Sequence, residues 1–184
     1  MTEIAHPHPA ATPADADGLP TSPQALLDRL AALGIPTRTV THPPLHTVEE
    51  AKALRGDLPG GHCKNLFLKD AKGQLWLVVA LEDTRVDLKR LPDVIGSARL
   101  SFGKPERLFE VLGVRPGSVT PFALVNDRTQ QVRVVLERGM LAHDPLHYHP
   151  LTNTMTTALP ADGLLSFVRA CGHSPLVVDL PTLA

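Results

Sequence analysis

The 184-residue chain is long enough for one domain with a substantial core and too short for two comfortable ones. With 43% apolar residues, 20% charged residues and a net charge of -1, it lacks the basic excess of a protein that coats nucleic acid unselectively. That balance still permits recognition of one RNA end through a few local cations. No apolar run reaches the length of a membrane span, and the first residues lack a basic start and a long apolar stretch. A cytoplasmic protein that avoids membranes is therefore expected, with Cys63 and Cys171 reduced.

Residues 1–20 are rich in proline, alanine and aspartate and nearly free of large apolar side chains. Such a segment cannot bury enough surface to offset its ordering entropy, so a flexible tail is expected, followed by a single domain over residues 21–184. Ser22 and Pro23 read as the N-cap and first position of a helix that Gly34 closes, with Leu26, Leu27, Leu30 and Leu33 on one face. Residues 36–45 read as extended. Thr47 and Glu50 have capping-box spacing for a helix that Gly56 stops.

A glycine loop then leads into a hairpin whose apolar runs, 66–68 and 75–81, flank the turn-like stretch 70–73. Residues 82–90 form a charged connection, with a short helical turn expected over 87–91. Residues 96–102 suggest a short exposed strand or loop, and 105–112 a helix capped by Gly113. Strands are expected at 122–125 and 131–136. Residues 143–157 are polar, histidine-rich and without obvious periodicity, which suggests a functional or at least irregular loop. A helix at 160–171 turns Leu164, Leu165 and Val168 inward, and a strand at 176–180 closes the chain. This order follows no regular βαβ alternation, so the expected class is α+β with a largely antiparallel sheet and flanking helices.

Three constellations can carry chemistry. Lys64 beside Asn65 offers an ammonium for a phosphate, carboxylate or carbonyl and an amide for a ribose or an α-amino group; a surface lysine beside a turn asparagine would look the same. Residues 117–121, running from Gly117 through Ser118 to Pro121, form a GxxxP loop that can present N–H groups to a carbonyl oxygen, or be simply a turn. His143, His147 and His149 are close enough in sequence to suggest a zinc site completed by His62 or Cys63. Against zinc, the chain has no carboxylate cluster or CxxC pair, and a histidine that positions substrate accounts for the same residues. No GxSxG, Walker loop or GxGxxG is present.

Taken together, the stretches GGHCKNLFLKDAKGQLWLV, RLSFGKPERL, GVRPGSVTPFALVND and HPLTNTMTT resemble the YbaK-type aminoacyl-tRNA editing family. The match is closest to its free-standing prolyl-tRNA editing members, which resemble the insertion domain of bacterial prolyl-tRNA synthetases. The resemblance runs from about residue 21 to residue 180 and implies a mixed fold around a curved sheet. It further implies hydrolysis of the ester joining a wrong amino acid to tRNA, with Ala-tRNA for proline as the leading substrate. Carried over position by position, it gives catalytic roles to Lys64, Gly117 and His149. Substrate contacts fall to Asn65, Ser118, Pro121 and Asn153. At Cys63 relatives more often have threonine, a departure within the pocket.

The chemistry is consistent with that assignment. A site selecting proline rejects alanine poorly, since a methylene or two is worth only about 1–3 kcal/mol, so a second pocket must exclude the larger ring. An aminoacyl ester is already activated, and a positioned water with a stabilised oxyanion suffices, so neither cofactor nor metal is expected. Lys64 is assigned to anchoring and electrostatics; a role as general base would need a lowered pKa. Serine, cysteine or a nonprotein amino acid are alternative substrates, and a binding module without turnover and a zinc hydrolase are alternative functions. The expected partner is aminoacyl-tRNA, met by a monomer that docks transiently on the synthetase or an elongation factor.

Overall fold

Seven consecutive apolar residues cannot leave one strand face in water, and residues 75–80 of the run are all buried. The computed structural model describes residues 18–184, in which this run is an interior strand of an eight-stranded sheet. The described residues begin with α1 (Pro23–Ala32), β1 (Arg38–Thr41) and α2 (Val48–Arg55). A hairpin of β2 (Gly61–Asp70) and β3 (Leu75–Leu81) follows, then α3 (Leu91–Ile95), β4 (Leu100–Phe102) and α4 (Pro105–Leu112). A 3-10 turn at Pro121–Asn126 leads to β5 (Val132–Glu137). The last elements are β6 (Leu146–Tyr148), β7 (Met155–Leu159), α5 (Ala161–Ala170) and β8 (Leu176–Val178).

The strands run in the order β1-β7-β6-β2-β3-β5-β8, with β4 also paired to β2. Pairing is antiparallel for β1/β7, β6/β7, β2/β3 and β2/β4, and parallel for β2/β6, β3/β5 and β5/β8. The α+β class with a mostly antiparallel sheet is thus observed. Strand periodicity divides the hairpin between two cores. Phe67, Leu75, Leu77 and Val79 face the main one, packed with Leu26 and Leu30 of α1, Leu108 and Leu112 of α4 and Phe167 of α5. Leu68, Trp76 and Val78 face a smaller cluster covered by Leu91 and Ile95.

The local signals at the helix starts are realised. Ser22 Oγ accepts from Ala25 N–H, and Thr47 and Glu50 exchange both capping-box bonds. Two expectations are corrected. Residues 122–125 are not a strand but part of the 3-10 turn, opened by Pro121 and capped by Thr120 Oγ1 on Phe122 N–H; a short buried apolar run does not by itself distinguish the two. The segment 143–157 is not irregular throughout, since it holds β6 and the start of β7. These strands escape a hydrophobicity pattern because their inward positions include His147 and Thr157. The helical turn expected over 87–91 forms, with the Arg90 and Leu91 N–H groups on the Asp87 carbonyl, and it leads directly into the helix Leu91–Ile95.

Of the tail expected over residues 1–20, residues 1–17 lie outside the described residues. Pro20 packs against the α4 end at Gly113, and Thr21 donates to Asn126 Oδ1 at 2.6 Å. Among the described residues no helix is long and apolar enough to cross a membrane.

One feature of the sheet positions the site. On a single edge of β2, β6 pairs with Gly61 and His62, and β4 pairs with Leu68, Lys69 and Asp70. Between them, from Cys63 to Leu66, that edge has no strand partner among the described residues.

Candidate active site

The unpaired edge opens into a cavity of about 620 Å³, a size suited to an aminoacyl nucleoside rather than to an alanyl group alone. Consecutive strand residues point to opposite faces, yet Cys63, Lys64 and Asn65 all line it, because a free edge is accessible from both faces. Gly117, Val119, Tyr148 and His149 line the cavity as well. Leu45, Ala51, Leu54 and Leu58 form an apolar flank along α2 and the loop after it.

Two glycines permit this arrangement. A Cβ on Gly60, whose φ is +111°, would lie 2.3 Å from the Pro145 carbonyl oxygen, and one on Gly61 would lie 2.8 Å from Leu146 Cδ2. The start of β2 therefore lies directly against the chain entering β6, which brings His147 and His149 to the cavity wall. Gly117 is needed for a different reason. Its φ of +90° is strained for any side chain, although the nearest atom to an added Cβ, Asn153 Nδ2, is 4.0 Å away. No hydrogen bond among the described residues uses its N–H.

Lys64 is half-buried, and no ion pair or hydrogen bond among the described residues uses its Nζ. Burial lowers its pKa, against the opposing pull of Glu137, Asp83 and Glu82. These carboxylates are otherwise engaged: Glu82 pairs with Arg55, Asp83 with Lys52, and Glu137 accepts from Leu81 N–H and Thr84 Oγ1. Asn65 Oδ1 is buried with no partner, a condition shared among the described residues only by His173 Nε2, which lies 3.6 Å from Asp127. An orphaned amide oxygen beside an unpaired cation is unfavourable in an empty site, and a bound polar ligand removes the cost.

His149 sits at the cavity with Nδ1 2.9 Å from the Met155 carbonyl oxygen. That oxygen can only accept, so Nδ1 carries the proton and Nε2 of the neutral ring remains an acceptor. Burial lowers the pKa of His149, as does nearby His42, and the hydrogen bond to Met155 only partly opposes them. The loop that carries it is strained: buried Leu151 has a φ of +67°, and its N–H bonds the His149 carbonyl oxygen at 3.0 Å.

The three histidines considered for zinc have separate partners. His143 is exposed, His147 bonds the Pro59 carbonyl and stacks on His62 with centroids 4.4 Å apart, and His149 bonds Met155. Among the described residues no group of three His, Cys, Asp or Glu is placed to hold a metal ion. Cys63 lines the cavity, and burial pushes its thiol up to about 11, so it acts as a small apolar wall rather than a nucleophile.

Of the residues singled out in sequence, Lys64, Asn65, Gly117 and His149 meet at one cavity. Asn153 lies behind Gly117 and donates weakly to the Leu45 carbonyl at 3.4 Å. Ser118 and Pro121 do not line the cavity: the Ser118 N–H closes a turn on Arg115, and Pro121 is buried at the start of the 3-10 turn. Sequence reasoning missed His42, Arg55, Glu82 and Tyr148, all of which line the cavity. His42 is brought there by the β1/β7 pairing, where its N–H bonds the Thr154 carbonyl and its Nε2 faces Thr156 Oγ1 at 2.8 Å. No local signal in the sequence marks it.

Comparison with known proteins decides the family. A sequence model described as the aminoacyl-tRNA editing domain matches residues 42–167. The chain belongs to that family. The editing domain is 37% identical over 158 residues to the prolyl-tRNA editing protein ProX of Acetoanaerobium sticklandii, covering 85% of this chain and 96% of that protein. It is 40% identical over 160 residues to the prolyl-tRNA synthetase associated domain-containing protein 1 of Bos taurus, covering 84% and 93% respectively. A solved structure described as a candidate trans-editing enzyme for prolyl tRNA synthetase matches with a TM-score of 0.69 at 22% identity, over 95% of this chain and all of that one. At that identity the structure supports the editing-domain fold alone.

Proposed function

We propose that this editing domain is a trans-acting deacylase that hydrolyses the ester of a small amino acid, alanine foremost, wrongly attached to the tRNA for proline. The observation that carries this reading is the convergence of an uncompensated ammonium, Lys64, and a free-N–H glycine turn, Gly117, on one cavity. The names of the relatives in Acetoanaerobium sticklandii and Bos taurus support the choice of proline tRNA.

In this reading Lys64 binds the phosphate or ribose of the terminal adenosine, and Asn65 meets its hydroxyls. The Gly117 N–H points to the ester carbonyl and stabilises the oxyanion that forms when water adds to the carbonyl carbon. The bond to the ribose oxygen then breaks, that oxygen takes the proton surrendered by water, and free amino acid leaves. Neutral His149 offers Nε2 as an acceptor to the attacking water or to the substrate's amino group. Cys63, Tyr148 and Val119 bound the space for the side chain.

The test is a panel of tRNAs for proline charged with alanine, serine, cysteine or proline, alongside alanine on its own tRNA. Fast release of alanine from the proline tRNA, slow release of proline and loss of turnover in Lys64→Ala support the reading. Wild-type protein that binds these tRNAs and releases no amino acid would identify a binding module instead.

A further inference from the structure

Phe102 is the most exposed large apolar side chain among the described residues, at 65%. Its surroundings make this exposure unusual. It ends β4, directly opposite Leu68 of β2, and opposed residues of an antiparallel pair share a sheet face. Leu68 is fully buried, and Leu100, two residues before Phe102 on the same face, packs against the same small cluster. Phe102 itself does not join that cluster.

Period-two alternation places Lys64, Leu66 and Leu68 on that face too. The path along it begins at the candidate active site, passes half-buried Leu66 and ends beside Phe102, about 13 Å away along the strand. It follows the stretch of β2 edge that no strand covers. Of the exposed charges nearby, Lys104 lies two residues beyond the ring and Glu106 in the helix turn that follows, while Lys69, paired with Ser101, projects to the opposite face; Asp70 is buried and fully occupied as an acceptor. An exposed ring with a lysine two residues on, in line along an open strand edge with a cavity suited to a nucleoside, has the chemistry of a single-stranded RNA contact.

We propose that Phe102 is a stacking platform for a base just before the terminal adenosine of the tRNA 3′ end, with Lys104 beside the backbone. The proposal rests on reading the cavity as the site of that adenosine. It makes β2 a track: the last nucleotide at Lys64, the preceding ones along the open edge, and a base on the ring. The substrate is thereby held by its unpaired end as well as by its amino acid.

A thermodynamic cycle on uncharged RNA tests this without requiring turnover. A 5′-labelled oligonucleotide ending in ACCA is compared with one in which the two cytosines are abasic, by fluorescence anisotropy with wild type and Phe102→Ala. The expected result is an affinity about tenfold weaker for Phe102→Ala on the intact strand, little difference on the abasic one, and recovery in Phe102→Trp. Equal affinity of the two proteins for the intact strand overturns the proposal. So does an equal loss on both strands, and so does a wild-type dimer that Phe102→Ala makes monomeric. Because the RNA carries no ester, the two readings fail separately. A protein that shows the cycle but deacylates nothing refutes the deacylase alone, and one that deacylates with no cycle refutes the platform alone.

Discussion

The two ends of β2 treat their polar groups in opposite ways. At the Asp70 end, a buried carboxylate accepts from four donors: the backbone N–H groups of Lys72, Gln74 and Ala98 and the Trp76 indole. At the other end, the Asn65 carbonyl oxygen is buried without a partner and the Lys64 ammonium has no counter-ion in contact. Both ends belong to one hairpin with continuous register, so strain in the strand does not explain the difference. A fold left to optimise its own stability would satisfy both ends. The end left unsatisfied is the one whose strand edge is also left open, which is what a ligand-binding region requires.

If this contrast is right, substitutions at the two ends should separate activity from stability. Lys64→Ala should reduce deacylation of the cognate mischarged tRNA by about 10²–10³-fold, with an unchanged melting temperature. Asp70→Ala should do the reverse, costing about 3 kcal/mol by leaving buried donors unmet, which denaturant titration reads, while turnover per folded molecule holds. Gly117→Ala should cost about 1–2 kcal/mol through its positive φ, expressed mainly as a lower kcat, since open space lies beyond the added methyl. Asn65→Ala should raise KM several-fold and leave stability unchanged or slightly improved, because it removes an orphaned buried acceptor.

The smallest effect is a pH dependence. His149 has a pKa below the ordinary 6.5, so the folded state binds its proton less readily than the unfolded chain. Its contribution to stability is fully present above that ordinary value and is lost as pH falls through the lower folded one. Acid melts of wild type and His149→Gln should diverge below neutrality and run parallel above it. Divergence on the alkaline side instead would mean that the ring is not held neutral.

Much of the fold is legible in the sequence where one element suffices to determine it. The capping box at Thr47, the serine-proline start at Ser22 and the apolar run of β3 each act within a few residues. What escapes is determined by contacts across the chain. Strands β6 and β7 place a histidine and a threonine inward, and Thr157 is satisfied by Thr39 of a distant strand, so no hydrophobic alternation remains to be read. The candidate site divides in the same way. Lys64 and Gly117 carry recognisable motifs, but His149 joins them at the cavity beyond the end of β6, which pairs with the first two residues of β2. His42 carries no motif and arrives only through β1/β7 pairing, which is why no reading of spacing finds it.

Gly60 and Gly61 carry a consequence for how this protein can vary. The seam between β2 and β6 has no room for even one methyl group at either position, so the wall bearing His149 is located by absent matter as much as by the Gly61 N–H bond to the Pro145 carbonyl. A lineage could exchange most side chains around the cleft and keep its outline, yet an alanine at this crossing would pry the two halves of the cleft apart. Damage there would look like a catalytic defect although every reactive group was intact.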